Sequence, residues 1–477
     1  MNTALTLASA LLLILVFPRF GWTWLAPVAL APVLVACANE ISWKRRFVNG
    51  WLAGAVFWGG VCYWIQFVLE VHGGMGRWGG WGTFLLFALY KGLHLGAFCA
   101  LAGFLMPRAW AIPAVAALWT GIERTHGPLA FAWLDLGNAG IDRPLLLRLA
   151  PFTGVYGLSF VFAILGCAVA LASMRRPRLQ LAWLAVLPLL FALPEPPAPE
   201  PGMQTALVVQ PNVDTEMQWT TASLAEIEQH MALLSRAAGK LIVWPEVPAP
   251  FYPTNPAFHD YLAKIVRTSG SALLMGGVAH ADGGDPLNSA FLISSAGEIV
   301  DRYDKINLVP FGEYVPPAFS WVNKITHEAG EFVPGNRVVV FPLDGHKISA
   351  FICYESAFPD LVRQFTRGGA EVLVNLSNDG YFGGSAAREQ HLSLVRMRAV
   401  ENRRWILRST NDGITAMVDP AGRVTQTLPG FEQTSANMHY DFRGEITPYV
   451  RNGDWFAWGC LMVGLSSCGG SLIRRRP

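Results

Sequence analysis

The chain has 477 residues, 52% hydrophobic and 15% charged, with a net charge of +2 and a mean hydropathy of +0.33. A soluble globular chain carries about 25% charge and is about 45–50% apolar, so this composition excludes a wholly soluble protein. It equally excludes a disordered one, which needs low hydrophobicity and high net charge, and the near-neutral balance offers no basic field for nucleic acid.

The apolar excess is concentrated in eight charge-free runs: 1–18, 20–39, 50–69, 92–107, 109–122, 149–174, 179–194 and 455–473. A membrane-spanning helix needs about 20 mostly apolar residues, and each run meets this alone or with a few neighbours. The fourth does so by starting near Trp81, which places Lys91 and His94 inside it. The expectation is an eight-span polytopic α-helical membrane protein, with seven spans in 1–194 and the eighth at 454–473. Run 1–18 has no basic n-region and no small-x-small exit, so it reads as a retained helix rather than a signal peptide. Lys44, Arg45, Arg46, Arg108, Arg175, Arg176, Arg178 and the tail Arg474, Arg475 and Arg476 fall on one side of the eight spans; Arg19, Arg77, Arg124, Arg143 and Arg148 fall on the other. Because Lys and Arg stay cytoplasmic, both termini are expected in the cytoplasm and the stretch between spans seven and eight outside. Gly74, Gly76 and Gly79 fit G-x-G-x-x-G, but follow a span rather than a strand, so no nucleotide site is expected. Lys91 and His94 within a span point to function or, for Lys91, to a snorkelling cation.

Residues 195–202 form a proline-rich linker, a semi-rigid spacer. From 203 to 450 the pattern changes. Apolar runs rich in β-branched residues at 205–210, 241–244, 272–279, 289–293, 347–353, 371–376, 405–410 and 414–418 predict strands. Helical periodicity covers 223–239, where Leu224, Ile227, Met231 and Leu234 share a face, and 385–404, with Leu392, Val395 and Ala399. Arg388, Arg396, Arg398, Arg403 and Arg404 on the latter read as a solvated or ion-paired face. Turns at Ser295–Glu298 and Asp419–Gly422 predict hairpins. This is a mixed α/β domain without internal sequence repeat.

Six of the seven cysteines lie in or beside the spans, and Cys353 alone lies in the external domain. A lone thiol there is either buried and inert or chemically used. With no C-x-x-C and no H-E-x-x-H in the chain, no metal site is expected. Cys353 ends a predicted strand just before a predicted helix at 358–366, where backbone N–H groups favour a thiolate and an oxyanion. Glu246 ends the apolar strand at 241–244 after Pro245; there it is either a surface carboxylate or a general base toward a thiol. Lys305 closes a predicted hairpin strand, as a solvated charge or as the group that stabilises thiolate and oxyanion.

The order Trp244-Pro245-Glu246, Tyr303-Asp304-Lys305, Cys353-Tyr354-Glu355 resembles the nitrilase superfamily of carbon–nitrogen hydrolases, and Asn288-Ser289-Ala290 adds to the match. Pro310-Phe311-Gly312-Glu313-Tyr314-Val315-Pro316, together with eight spans around the domain, is similar to one of its branches, the apolipoprotein N-acyltransferases. The resemblance covers residues 205–430 by motif and implies an external α-β-β-α sandwich. It implies Glu246 as general base, Lys305 as oxyanion-stabilising cation and Cys353 as nucleophile, and no cofactor. It gives Glu313 as a supporting carboxylate, Tyr354 and Glu355 as the pair following the nucleophile, and the Tyr354 N–H as an oxyanion donor. Trp219 corresponds to a tryptophan on a mobile loop. The implied partners are a phospholipid acyl donor, a diacylated apolipoprotein acceptor and membrane lipids; the implied location is the bacterial inner membrane, with the catalytic domain periplasmic.

Apolar loops flank the proposed catalytic residues. After Lys305 come Ile306, Leu308, Val309, Phe311, Val315, Phe319, Trp321 and Val322, interrupted by Pro310, Pro316 and Pro317; residues 247–253 follow Glu246. Exposed apolar loops mark partner or membrane contact, so a lid over a bilayer-facing site stands beside ordinary core packing. Three function classes remain: the acyltransferase, a membrane-anchored amidase or nitrilase using water, and a non-enzymatic polytopic protein. The chain has no G-x-S-x-G, which argues against a serine esterase.

Overall fold

The computed structural model describes residues 1–129, 131–175, 178–236, 239–314 and 332–473. All eight apolar runs carry helix. By length and composition, two helices among the described residues can cross a membrane, Gly76–Leu105 and Val155–Ser173. A third is the pair Trp43–Val61 and Trp64–His72, bent by 66°, if taken as one span. The count falls short of eight by this measure partly because some runs form short helices, such as Asn2–Val16, and partly because helix breakers divide others. In the second run, Pro27 and Pro32 open new short helices, Ala26–Ala29 and Ala31–Asn39, as proline does at a first turn. The seventh run is a 3₁₀ helix, Arg178–Ala192, of 15 residues with Pro188 inside. At about 2 Å rise per residue it is still about 30 Å long, the thickness of a hydrocarbon core.

The chain divides into two compact units, one of Met1–Phe67, Arg77–Pro196 and Asn452–Pro477, the other of Val68–Gly76 and Pro197–Arg451. In the first, Trp455–Ile473 packs closely on Ala111–Arg124: a Cβ on Gly464 would lie 2.7 Å from the Leu118 Cα, so glycine permits the approach. Lys91 does not snorkel. It is 0% exposed, donates to the Phe131 carbonyl at 2.9 Å and sits 3.9 Å from the Trp58 ring centroid.

The second unit holds two six-stranded sheets. The strands are β1 (Gln204–Gln210), β2 (Leu241–Val243), β3 (Ala272–His280), β4 (Pro286–Ile293), β5 (Ile299–Asp304), β6 (Phe341–Leu343), β7 (His346–Ile352), β8 (Val372–Ser377), β9 (Ile406–Thr410), β10 (Ala416–Val418), β11 (Val424–Thr427) and β12 (Thr434–Tyr440). Their orders are β12-β1-β2-β3-β4-β5 and β11-β10-β9-β8-β7-β6. Each sheet has three parallel strands, β1-β2-β3 and β7-β8-β9, extended by two antiparallel strands on one side and one on the other. The sheets therefore repeat one topology that no sequence repeat announces.

The sheets face each other, β1 on β9 and β4 on β7, and the Ser409 hydroxyl donates across to the Val209 carbonyl at 2.9 Å. Helices α1 (Thr221–Leu234) and α2 (Pro256–Ser269) cover the first sheet: Ile227, Met231, Leu262 and Val266 pack with Leu207, Ile242 and Leu273. Helix α1 stops at Leu234, short of the predicted 239, where the Ser235 hydroxyl turns back to the Met231 carbonyl. Helices α3 (Pro359–Arg367) and α4 (Ala387–Asn402) belong to the second sheet's half. Of the solvated or ion-paired face expected on α4, Arg388 and Arg398 take the second form: they are buried and paired with Asp412 and Glu401 at 2.9 Å each. The helix is enclosed on more than one side, so its charges take internal partners rather than water.

Candidate active site

Glu246 leaves β2 behind Trp244, whose indole N–H donates to the Ser235 hydroxyl at 2.9 Å. Strand β3 passes so near that a Cβ on Gly276 would sit 2.7 Å from the Glu246 Cα. The carboxylate is buried. Its Oε1 accepts from Lys305 Nζ at 3.0 Å and Asn288 Nδ2 at 2.8 Å, and its Oε2 from the Asn378 backbone N–H at 2.9 Å. Lys305 continues β5, tied by its N–H to the Asn288 carbonyl and by its carbonyl to the Gly335 N–H, each at 2.8 Å. Its ammonium also donates to Glu313 Oε1 at 2.9 Å.

Glu313 is presented by a tight turn. Its N–H donates to the Val309 carbonyl and the Phe311 N–H to the Tyr314 carbonyl, while its Oε2 accepts from the Val309 N–H at 2.8 Å. Phe311 takes φ +62° in that turn. Asn288 Nδ2 also donates to Glu313 Oε1 at 2.6 Å. One ammonium and one amide thus bridge two carboxylates. Burial pulls the Lys305 ammonium down, but Glu246 and Glu313 outweigh it and hold it well above the usual lysine range.

Cys353 follows β7 with φ +49°, a left-handed turn that a non-glycine residue adopts only when its surroundings enforce it. A 3₁₀ turn, Cys353–Ala357, then leads to α3. Burial, then Glu246, push the thiol up, against the pull of Lys305. The thiol thus lies in the field of both groups. Glu355 secures the turn from below. Its Oε1 accepts from the Tyr303 hydroxyl and the Ile306 N–H at 2.7 Å each and from the Asn307 N–H at 3.2 Å, and its Oε2 from the Ile352 N–H at 2.7 Å. One buried carboxylate therefore ties the strand carrying Lys305 to the strand carrying Cys353. Glu355→Gln turns an amide N–H toward one of these donors. It is expected to destabilise the fold by about 2 kcal/mol, read from denaturant melts of the detergent-solubilised protein; an unchanged midpoint would contradict this.

The predicted residues are thus placed as follows. Glu246, Lys305 and Glu313 share hydrogen bonds; Cys353 lies in their field, with Glu355 behind it. Tyr354 is buried, its ring edge-on to Phe358 at 5.1 Å. Trp219 is 44% exposed on the loop before α1 and takes no part in the hydrogen-bonded cluster. Trp321 lies outside the described residues. The 247–253 loop splits its roles: Phe251 is 2% exposed and stacks on Phe258 at 4.6 Å, while Tyr252 stays outside. Phe251 is core because α2, absent from the expected elements, supplies a surface for it.

Sequence reading missed the role of Asn288 and all of Asn378, Asp379 and His391. Asn378 and Asp379 end β8 as Glu246 ends β2, a signal available only once the two sheets are seen to share a pattern. Tyr381, beyond them, meets His72 edge-on at 4.7 Å.

Two family models match the chain. The carbon–nitrogen hydrolase model covers 205–439, and that of the apolipoprotein N-acyltransferase N-terminal domain covers 9–168. The chain is 32% identical to an apolipoprotein N-acyltransferase of Geobacter metallireducens, over 95% of this chain and 92% of that one. It is also 32% identical to that of Nitrosomonas europaea, over 92% of each. Among solved structures, an amidase from Nesterenkonia sp. is 21% identical over 53% of this chain and 94% of that one, with a TM-score of 0.39.

Proposed function

The chain belongs to the apolipoprotein N-acyltransferase family, and on that premise we propose that it moves an acyl chain from a membrane phospholipid, through a thioester on Cys353, to the α-amino group of an N-terminal diacylglyceryl-cysteine. The observation that carries the assignment of residues is the buried cluster in which Glu246 and Glu313 share the Lys305 ammonium within the field of the Cys353 thiol.

In this reading Glu246 takes the thiol proton as Sγ attacks the ester carbonyl. The Lys305 ammonium and the Tyr354 N–H hold the oxyanion. The ester C–O bond breaks, Glu246 returns the proton to the departing oxygen, and a lyso-lipid leaves. The amine then attacks the thioester, Glu246 takes its proton, the C–S bond breaks and the thiol is restored beside a new amide. Separate half-reactions give ping-pong kinetics. Water must be kept from the thioester, and the apolar segment after Lys305, with Phe311, Trp219 and Trp321, serves as the lid.

The same reading assigns 1–194 to seven spans, 195–202 to a linker, 203–450 to the catalytic domain and 454–473 to an eighth span. The shorter apolar helices Asn2–Val16, Thr23–Asn39 and Leu179–Ala192 support the count. The basic loop residues support cytoplasmic termini and a periplasmic catalytic domain at the inner membrane.

The test is intact-mass analysis after incubation with phospholipid. Cys353 is expected to gain one fatty acyl group. Adding a diacylated lipopeptide is then expected to discharge it into an N-acyl product without free fatty acid. Discharge as free fatty acid would mark a hydrolase instead, and an unmodified Cys353 would overturn the reading.

A further inference from the structure

Behind the nucleophile lies a second buried cluster that the two half-reactions leave unused. His391, on α4, is 0% exposed, as are Asp379 and Arg408. His391 Nε2 lies 3.0 Å from the Cys353 carbonyl oxygen. Its Nδ1 faces Asp379 Oδ1 at 3.0 Å and Arg408 Nη2 at 3.2 Å. Asp379 is fixed in turn by Arg408 Nη2 at 2.6 Å and the Ser377 hydroxyl at 2.8 Å, and Arg408 Nη1 bonds Asn375 Oδ1. The Phe382 ring closes the cluster edge-on to the imidazole.

A carbonyl only accepts, so Nε2 carries the proton of this bond. The bond acts on the one peptide that matters most for the chemistry. The Cys353 carbonyl and the Tyr354 N–H belong to the same planar trans unit and point in opposite directions. Holding the carbonyl toward His391 therefore turns the Tyr354 N–H away from it. It also fixes the Cys353 ψ beside a left-handed φ of +49°, a conformation that needs an external hold. Asp379 and Arg408 set the ring, and the ring sets the peptide.

We propose that His391 is a positioning residue for acyl transfer, orienting the Cys353–Tyr354 peptide so that the thiol and the Tyr354 N–H are both aimed at the ester carbonyl. This rests on the acyltransferase reading, in which that N–H holds the oxyanion.

The test compares rates of Cys353 acylation by phospholipid, read by intact mass in single turnover, for the wild type, His391→Asn and His391→Gln in the full-length protein. Asparagine places an amide at the Nδ1 position and leaves the Cys353 carbonyl without its donor; glutamine reaches the Nε2 position. His391→Asn is expected to lose about 100-fold in the saturated rate with the phospholipid KM within about twofold, and glutamine to recover at least about tenfold of that loss. A wild-type rate in His391→Asn overturns the proposal, and so does an equal loss in both variants at wild-type melting temperature, which marks a purely structural role. If His391→Asn does not fold, Asp379→Asn takes its place. It keeps the Nε2 contact but loosens the ring, and is expected to slow acylation about tenfold; an unchanged rate overturns the proposal. No acylation of the wild type would instead be a failure of the acyltransferase reading itself.

Discussion

Cys353→Ala is expected to remove the acyl-enzyme altogether and to lower overall acyl transfer by on the order of 10⁴-fold or more. No neighbouring group can replace the thiol: among the described residues, the chain's other cysteines lie in the other compact unit. Phospholipid binding is expected to survive within about twofold, because alanine removes only the reacting atom. Retained transfer at more than a few per cent of the wild-type rate would remove Cys353 from the mechanism. The surroundings of the thiol add a pH signature. Burial and Glu246 push it above the usual thiol range, which in an unfolded chain lies near ~8.5. The folded state therefore keeps its proton where the unfolded state loses it, and stability falls as pH climbs past ~8.5. Cys353→Ala is expected to flatten that fall. Alkylation of the native thiol by a small maleimide is expected to show no rise through pH 8 to 9, whereas the denatured protein shows one. The native protein following the denatured profile would mean that Glu246 and the buried wall are not where the thiol meets them.

Much of this arrangement is legible in the residues because Glu246 and Cys353 follow apolar strand ends, while Lys305 follows the more polar β5. Strand β2 is Leu-Ile-Val and β7 closes on Ala350-Phe351-Ile352, so the first charged or nucleophilic residue beyond each marks where the sheet gives way to the site. The runs at 205–210, 272–279 and 405–410 reappear as β1, β3 and β9 for the same reason. The edge strands were less visible. β12 reads Thr-Ser-Ala-Asn-Met-His-Tyr and β6 is three residues around Pro342, sequences whose strand character comes from pairing with β1 and β7 rather than from propensity. Helix α2 was hidden differently: Asn255 caps it and Pro256 opens it, but the proline-rich stretch before it reads as one continuous loop. His391 was out of reach because its meaning is tertiary. It lies one turn before Val395 on the buried side of α4, and nothing in sequence says that the face it shares looks at the Cys353 carbonyl.

The membrane half shows the converse. Every apolar run carries helix, but short helices such as Leu136–Gly140 and Pro144–Leu147 fall between the runs, and the residues that break the runs could not be ranked from composition. Pro27 and Pro32 restart a helix and Pro188 sits inside a 3₁₀ helix, two different outcomes for one residue type. Lys91 is the same lesson in one residue: burial against Trp58 and the Phe131 carbonyl, not the span's edge, decides where its charge rests.

Lys305→Met is expected to damage both stability and chemistry, and the two losses separate by a second substitution. The ammonium is 1% exposed and pairs with carboxylates that are 9% and 14% exposed. Removing it leaves two carboxylates bridged by Asn288 alone. Taking one partner from a buried ion pair costs about 3–5 kcal/mol. The wild-type lysine is held well above its usual range, so its own titration leaves this stabilisation intact below ~10.4 and removes it as pH rises through the folded value. Acylation of Cys353 is expected to fall a further 10²- to 10³-fold, roughly the loss of one oxyanion donor. Adding Glu313→Gln to Lys305→Met removes one of the opposed charges, so the double variant is expected to be more stable than Lys305→Met while remaining as slow. Glu313→Gln alone, which leaves the Lys305–Glu246 pair intact, is expected to cost less than either. Denaturant melts of the four proteins close the cycle. Simple additivity of the two substitutions would show that the carboxylates do not share the ammonium, and recovery of acylation in the double variant would show that Lys305 serves the fold and not the reaction.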